Sequence, residues 1–206
     1  MKYKTFIFDI DGTLIDTESA LLKSWHDTLN EYGYNYSIEE LRNVLGVTMK
    51  TGLQRLGAKV DNNYAYNWQK NYKRLAPNCR YFNGIKEMLF KLKSLGYILG
   101  IVSSRCRQEY NMYFNQFDFD QLFSYVILED DTDKHKPDPM PLLKFMEISN
   151  SSSKECIYIG DMPSDIQCAN NANVTSALVK WNGSNVSTQN TDLVLKSVND
   201  LIDLAL

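Results

Sequence analysis

The chain of 206 residues predicts an α/β protein: a parallel sheet covered by helices on both faces, with a helical insertion near its start. Three observations carry this. Apolar runs rich in β-formers, at residues 6–8, 97–102, 125–128 and 156–159, are too short for helices and read as buried strands. Segments of helical periodicity separate the later runs, which is the alternation a parallel sheet requires. Between Asp16 and Asn83 that alternation stops, and the pattern is helical without a good strand.

The first strand runs into Asp9-Ile10-Asp11-Gly12-Thr13-Leu14-Ile15-Asp16. Acids at the end of a buried strand are costly unless something meets their charge. The cost falls at the C-terminal edge of an open α/β sheet, where ligand crevices form. In an extended chain Asp9 and Asp11 would point to opposite sides. A shared site therefore needs a turn at 10–12, which Gly12 permits. Taken alone, the pair reads equally as an Asx-rich turn after an edge strand.

In the block that follows, Leu21, Trp25, Leu29 and Tyr32 recur at helical spacing, and Gly33 is placed to cap that helix. Ser37-Ile38-Glu39-Glu40 has the pattern of a capping box. Gly46, Gly52 and Gly57 are expected to break up the middle. Tyr64, Trp68, Tyr72 and Leu75 form a further stripe, stopped by Pro77. The expected organisation is a helical cap of residues 17–80 inserted into a core of residues 1–16 and 81–206. Linkers near 14–17 and 77–84 would join them; the alternative is helices lying directly on the sheet.

Beyond Asn83-Gly84, Ile85, Met88, Leu89, Leu92 and Leu95 predict an amphipathic helix ended by Gly96. The second strand ends in Ser103-Ser104-Arg105, and a polar-aromatic helix is expected to about Phe114. The third strand leads through the acidic stretch 129–133 to Lys136-Pro137. Asp138 and Pro139 predict the cap and first turn of a helix through Met146. The fourth strand ends in Gly160-Asp161-Met162-Pro163-Ser164-Asp165, before a helix to about Asn171. Residues 175–179 and 192–195 predict two more strands, and 198–204 a last helix.

Composition narrows the class. A 44% hydrophobic and 23% charged chain is that of an ordinary soluble globular protein. A net charge of −3 argues against nonspecific nucleic-acid binding. No apolar run approaches membrane-spanning length, and Met1-Lys2-Tyr3-Lys4 leads into a strand rather than a signal sequence. The cysteines Cys79, Cys106, Cys156 and Cys168 lack zinc-like spacing, with only His26 and His135 to assist them. They are expected to be reduced and mostly buried, as in a cytoplasmic protein. The expected partner is a small molecule; the oligomeric state is open.

The four clearest strands each end in reactive side chains: Asp9 and Asp11, Ser103, Lys136 in the loop after the third, and Asp161 with Asp165. In a parallel sheet these ends share one edge. Four carboxylates gathered there call for a cation, and Mg²⁺ is the small oxygen-loving one of cytoplasm. A hydroxyl and an amine beside them suit a phosphate. A carboxylate nucleophile can attack phosphorus once metal and lysine offset the repulsion. A second carboxyl can protonate the leaving oxygen and later deprotonate water.

The motif Asp9-Ile10-Asp11-Gly12-Thr13-Leu14 resembles the first motif of the haloacid dehalogenase (HAD) superfamily. Val102-Ser103 resembles its second, Lys136-Pro137 its third, and Gly160-Asp161 with Asp165 its fourth. Order and placement match over nearly the whole chain, and a helical insertion after the first motif is what the small-cap phosphatase branch shows. The resemblance implies a Rossmann-like core with an inserted α-helical cap, in the phosphoglycolate phosphatase-like or β-phosphoglucomutase-like branch. It implies Asp9 as nucleophile, Asp11 as general acid then base, Ser103 and Lys136 as phosphoryl-group stabilisers, and Gly12 and Thr13 shaping the phosphate loop. Ser104 and Arg105 follow Ser103 closely enough to reach substrate; Arg105 could equally begin a surface helix. Mg²⁺ would be held by Asp9, Asp11 through its backbone carbonyl, Asp161 and Asp165.

The same resemblance separates relatives. Dehalogenases of the superfamily lack the second aspartate, so Asp11 favours phosphoryl transfer. β-Phosphoglucomutase-like members carry a histidine four residues after the threonine that Thr17 resembles; here Leu21 stands there and His26 falls on another face. A small-phosphomonoester hydrolase is therefore expected ahead of a mutase or pyrophosphatase, and a non-catalytic module last. The cap holds nine Lys/Arg against six Asp/Glu, which would suit an anionic substrate or merely solvate helix faces.

Overall fold

A computed structural model describes residues 3–205. Eight strands form in chain order: β1 (Thr5–Phe8), β2 (Ile15–Asp16), β3 (Arg80–Tyr81), β4 (Ile98–Val102), β5 (Tyr125–Ile127), β6 (Cys156–Gly160), β7 (Thr175–Val179) and β8 (Leu193–Leu195). Six of them make one parallel sheet in the order β5-β4-β1-β6-β7-β8. Phe8 lies opposite Ile101 on one side and Ile159 on the other. The chain leaves β1 in both directions across the sheet, so the crevice at the topological switch point opens where Asp9 follows Phe8.

Alternating side chains build two apolar layers. Phe6, Phe8, Leu99, Ile101, Ile157 and Ile159 face one side, Ile7, Val102, Cys156 and Tyr158 the other. Ten α-helices occur among the described residues: α1 (Glu18–Glu31), α2 (Ile38–Leu41), α3 (Met49–Leu56), α4 (Tyr64–Leu75), α5 (Ile85–Ser94), α6 (Arg107–Tyr113), α7 (Phe119–Leu122), α8 (Met140–Ser149), α9 (Pro163–Asn171) and α10 (Asn199–Ala205). The first layer is covered by α5 and α10, the second by α8 and α9.

Helices α1–α4 stand between β2 and β3. These two short strands pair antiparallel, Ile15 opposite Tyr81 and Asp16 opposite Arg80, so the chain enters and leaves the helical block through one ribbon. Within the block α1 packs along α4, burying Trp25 and Leu29 against Tyr64, Trp68 and Tyr72. Each such side chain removed from water contributes about 1.5–3 kcal/mol. The predicted capping box at Ser37 forms, with Glu40 Oε2 accepting from the Ser37 N–H at 2.8 Å. Apolar contact runs without a gap from the sheet through Ile10, Leu14 and Ile15 into these helices.

Two expectations need correction. Gly52 does not break the helical block: it lies inside α3, where a Cβ would come within 3.1 Å of Trp25 and Val44. Close approach, not backbone freedom, is its reason. Helix α8 starts at Met140, whose N–H bonds Asp138 Oδ1 at 3.0 Å, and runs past Met146 to Ser149. Between α6 and β5, where the sequence pattern predicts no element, the chain forms a 3-10 turn and α7, packed through Phe114, Phe117, Phe119 and Phe123. All four cysteines are free, and three are buried. No helix among the described residues is long and apolar enough to cross a membrane.

Candidate active site

The strand ends converge as their order requires. Asp9 continues β1, its N–H bonded to Ile159 O at 2.9 Å. The chain then folds back, Leu14 and Ile15 both donating to Ile10 O. Gly12 takes φ +73°, and a Cβ there would sit 2.2 Å from Asp161 Oδ2. The turn is thus open only to a residue without a side chain, and it brings the loop after β1 against the loop after β6.

Lys136 is the centre of the buried polar network. Its Nζ donates to Asp9 Oδ1 at 2.8 Å, Asp165 Oδ1 at 2.7 Å and the Tyr158 hydroxyl at 3.2 Å. Burial alone would disfavour its charge, but Asp165 and Asp9 outweigh that and hold it protonated. Asp165 is fully enclosed, its other oxygen accepting the Met162 N–H at 3.0 Å. Burial raises the Asp9 carboxyl to about 7, Lys136 opposing and Asp165 and Asp11 adding to the rise.

One carboxylate oxygen each from Asp9, Asp161 and Asp165 lie within 4.8 Å of one another. Asp161 has no cation among the described residues; it receives Asn182 Nδ2 at 3.1 Å and Thr13 Oγ1 at 3.5 Å. Burial, then Asp165 and Asp9, push its carboxyl well above the ordinary range. Three buried acids, two of them sharing one amine and the third without a cation, aim hard oxygen donors together and fit a divalent cation.

Asp11 turns the other way. Its two oxygens receive Arg105 Nε and an Arg105 Nη, both at 2.9 Å, and Thr17 Oγ1 at 2.6 Å. Burial pushes its carboxyl up, but Arg105 and Thr17 outweigh this and hold it below the usual range. Arg105 is stacked among Tyr72, Trp68 and Phe114, with its carbon centre 4.6 to 5.6 Å from their rings.

A cavity of about 60 Å³ lies above Asp9 and Asp11. Ser103, Ser104 and Arg105 form its floor with them, and α1, α3, α4 and the loop before α3 form its roof. Ser104 Oγ and Ser164 Oγ both donate to Gly46 O, joining roof to floor. Gly12, Thr13, Lys136, Asp161 and Asp165 stand behind this surface: Thr13 is enclosed and braces Asp161. The carboxyl of Asp11 is not part of the acid cluster. None of the nine lysines and arginines of residues 17–80 lines the cavity, so their positive charge solvates outer faces of the helices. His26 also lies outside it, while Leu21 is in its wall.

Several contributors escaped the sequence reading. Tyr158 looked like one more apolar member of β6, yet its hydroxyl bonds Val102 O, Asp165 and Lys136. Asn182 and Trp181 hold the carbonyls of Gly12 and Thr13, both at 2.9 Å. They follow β7, a fifth strand end on the same edge, and that position was the available signal. Glu109 is one turn after Arg105, 3.5 Å from its second Nη.

The profile of the haloacid dehalogenase-like hydrolases matches residues 6–179, which includes Asp9, Asp11, Ser103, Lys136, Asp161 and Asp165. The chain belongs to this family. Pyrophosphatase PpaX of Bacillus mycoides is 30% identical over 209 residues, covering 99% of this chain and 97% of that protein. A "putative pyrophosphatase PpaX" of Caldanaerobacter subterraneus is 32% identical over 189 residues, 88% of this chain and 83% of the relative. Among solved structures, a "putative phosphoglycolate phosphatase" from Lactobacillus plantarum superposes with a TM-score of 0.87 at 28% identity, covering 99% of this chain and all of that one. The expected HAD membership and Rossmann-like α/β core are therefore correct.

Proposed function

We propose that this HAD hydrolase is a Mg²⁺-dependent phosphatase that cleaves small phosphomonoesters through an aspartyl-phosphate intermediate. The observation that carries the reading is the pairing of Asp9 and Asp11 in one cavity. Asp9 is held from behind by Lys136, and Asp11 faces the same space two residues on.

An Asp9 oxygen attacks phosphorus, and the bond from phosphorus to the ester oxygen breaks. Asp11, once protonated, gives its proton to that departing oxygen. Water then adds to phosphorus, Asp11 taking its proton, and the bond to Asp9 breaks to release inorganic phosphate. Lys136 offsets charge on Asp9 and the transferring group. Ser103, with Oγ 3.3 Å from the Arg105 N–H, orients phosphoryl oxygens. Asp9, Asp161 and the backbone carbonyl of Asp11 would hold the metal, with Asp165 fixing Lys136 beside it. Bound there, Mg²⁺ supplies positive charge against the phosphoryl oxygens.

Residues 17–80 serve as a lid, moving on the β2–β3 ribbon to admit substrate and exclude bulk water. The cytoplasm is the expected setting. Leu21 in the cavity wall, where the mutase-like branch has histidine, supports a hydrolase over a mutase. The PpaX relatives support a second reading, cleavage of pyrophosphate. The test is Asp9→Asn: turnover of a phosphomonoester panel with Mg²⁺ should fall by about 10³-fold or more with the far-UV spectrum unchanged. EDTA should abolish wild-type turnover and Mg²⁺ restore it. A fully active Asp9→Asn protein would overturn the nucleophile assignment.

A further inference from the structure

Attack by Asp9 is in line with departure of the ester oxygen, so the leaving group must extend away from Asp9, toward the roof of the cavity. That side is formed by residues of α1, α3, α4 and the loop before α3, Leu21, Val47, Met49 and Trp68 among them, none of which carries charge. The charged groups in the wall are four acids, Asp9, Asp11, Glu109 and Glu129, and a single base, Arg105, among the described residues.

Arg105 has little left to offer a second anion. Of the five N–H groups of a guanidinium, two bond Asp11, one the Tyr72 hydroxyl and one Glu109. It is 5% exposed and enclosed by three aromatic rings, so withdrawing it from Asp11 would leave that half-buried carboxylate without its cation, held by Thr17 alone. The wall already resists negative charge: burial, with Glu109 and Asp130 adding, pushes the Glu129 carboxyl up to about 7.

We propose, resting on the phosphatase reading, that the cavity selects small phosphomonoesters whose leaving group carries no negative charge. A carboxylate or second phosphate on that group would meet apolar side chains and two glutamates; the donors in the wall are the Ser103 and Ser104 hydroxyls, one spare Arg105 N–H and the Trp68 indole N–H, unpartnered among the described residues, and none of them adds a free cation to match the charge. An uncharged group is spared the larger cost of stripping water from a charge and the repulsion of the two glutamates.

The test is a matched pair, 2-phosphoglycolate and its uncharged carboxamide, 2-phosphoglycolamide, with inorganic pyrophosphate as a third substrate, each with saturating Mg²⁺. The amide should exceed the carboxylate in kcat/KM by about tenfold or more, with pyrophosphate poorest. Val47→Lys, a loop substitution that adds a cation to the roof, should narrow the ratio by about tenfold. Equal rates, faster carboxylate or pyrophosphate, or a ratio unmoved by Val47→Lys in a folded protein would each overturn the selection. Loss of all turnover in the wild type would instead remove the phosphatase reading, and this inference with it.

Discussion

Lys136 shows how one side chain holds the site together. Its amine is shared by Asp9 and Asp165, both enclosed. Lys136→Met keeps the volume but leaves two carboxylates without a cation. It should cost about 3–5 kcal/mol of stability, read from denaturant unfolding, as well as activity. Glu129 allows a pH prediction. Its folded-state affinity for a proton is raised, to about 7 from an ordinary 4.5. The folded state therefore binds more protons than the unfolded between those values, and this group's contribution is full below 4.5 and lost as pH rises to 7. Glu129→Gln should gain stability over the wild type across that window, by about 1–2 kcal/mol after solvent screening. A pH series of paired thermal melts checks it. The convergence of Asp9, Asp11 and Asp161 was legible because charge has no ordinary business at the end of a buried strand, and that of Lys136 because its loop leaves the same sheet edge. Tyr158 was not, because its ring satisfies the apolar pattern and only its hydroxyl betrays the site.

At the scale of elements, periodicity located six strands of the main sheet and most of the helices. The short pieces escaped: β2 and β3 are two residues each and α7 is four, too few for a repeat to register. Gly52 was misread for a related reason. Sequence exposes a glycine's missing side chain but not what presses against it, here Trp25 and Val44 across the helical block. Gly52→Val should therefore destabilise by about 1–3 kcal/mol through overpacking, measured by denaturant unfolding. A substitution without effect would mean the helices part freely at that contact.

For the molecule as a whole, the site joins two regions of chain. The core supplies Asp9, Asp11, Asp161 and Lys136; the helical block supplies the roof and meets Arg105 through Tyr72 and Trp68. If Asp9 and Asp161 hold Mg²⁺ in the folded state alone, the ion stabilises by mass action. Millimolar Mg²⁺ should raise the wild-type melting temperature by a few degrees, and Asp161→Asn should abolish the shift. An equal shift in both proteins would place the ion elsewhere.

The sequence by itself determined the α/β class, the shared edge and the acids, hydroxyl and amine that meet there. Those depend on local periodicity and on a rule of parallel sheets, and both are written along the chain. Tertiary structure alone decided which partner each group takes: Asp11 with Arg105 rather than with the acid cluster, and an apolar rather than basic roof. Such pairings arise between residues far apart in the chain, 94 positions for Asp11 and Arg105 and 127 for Asp9 and Lys136. They are set by packing distance, which no local pattern encodes.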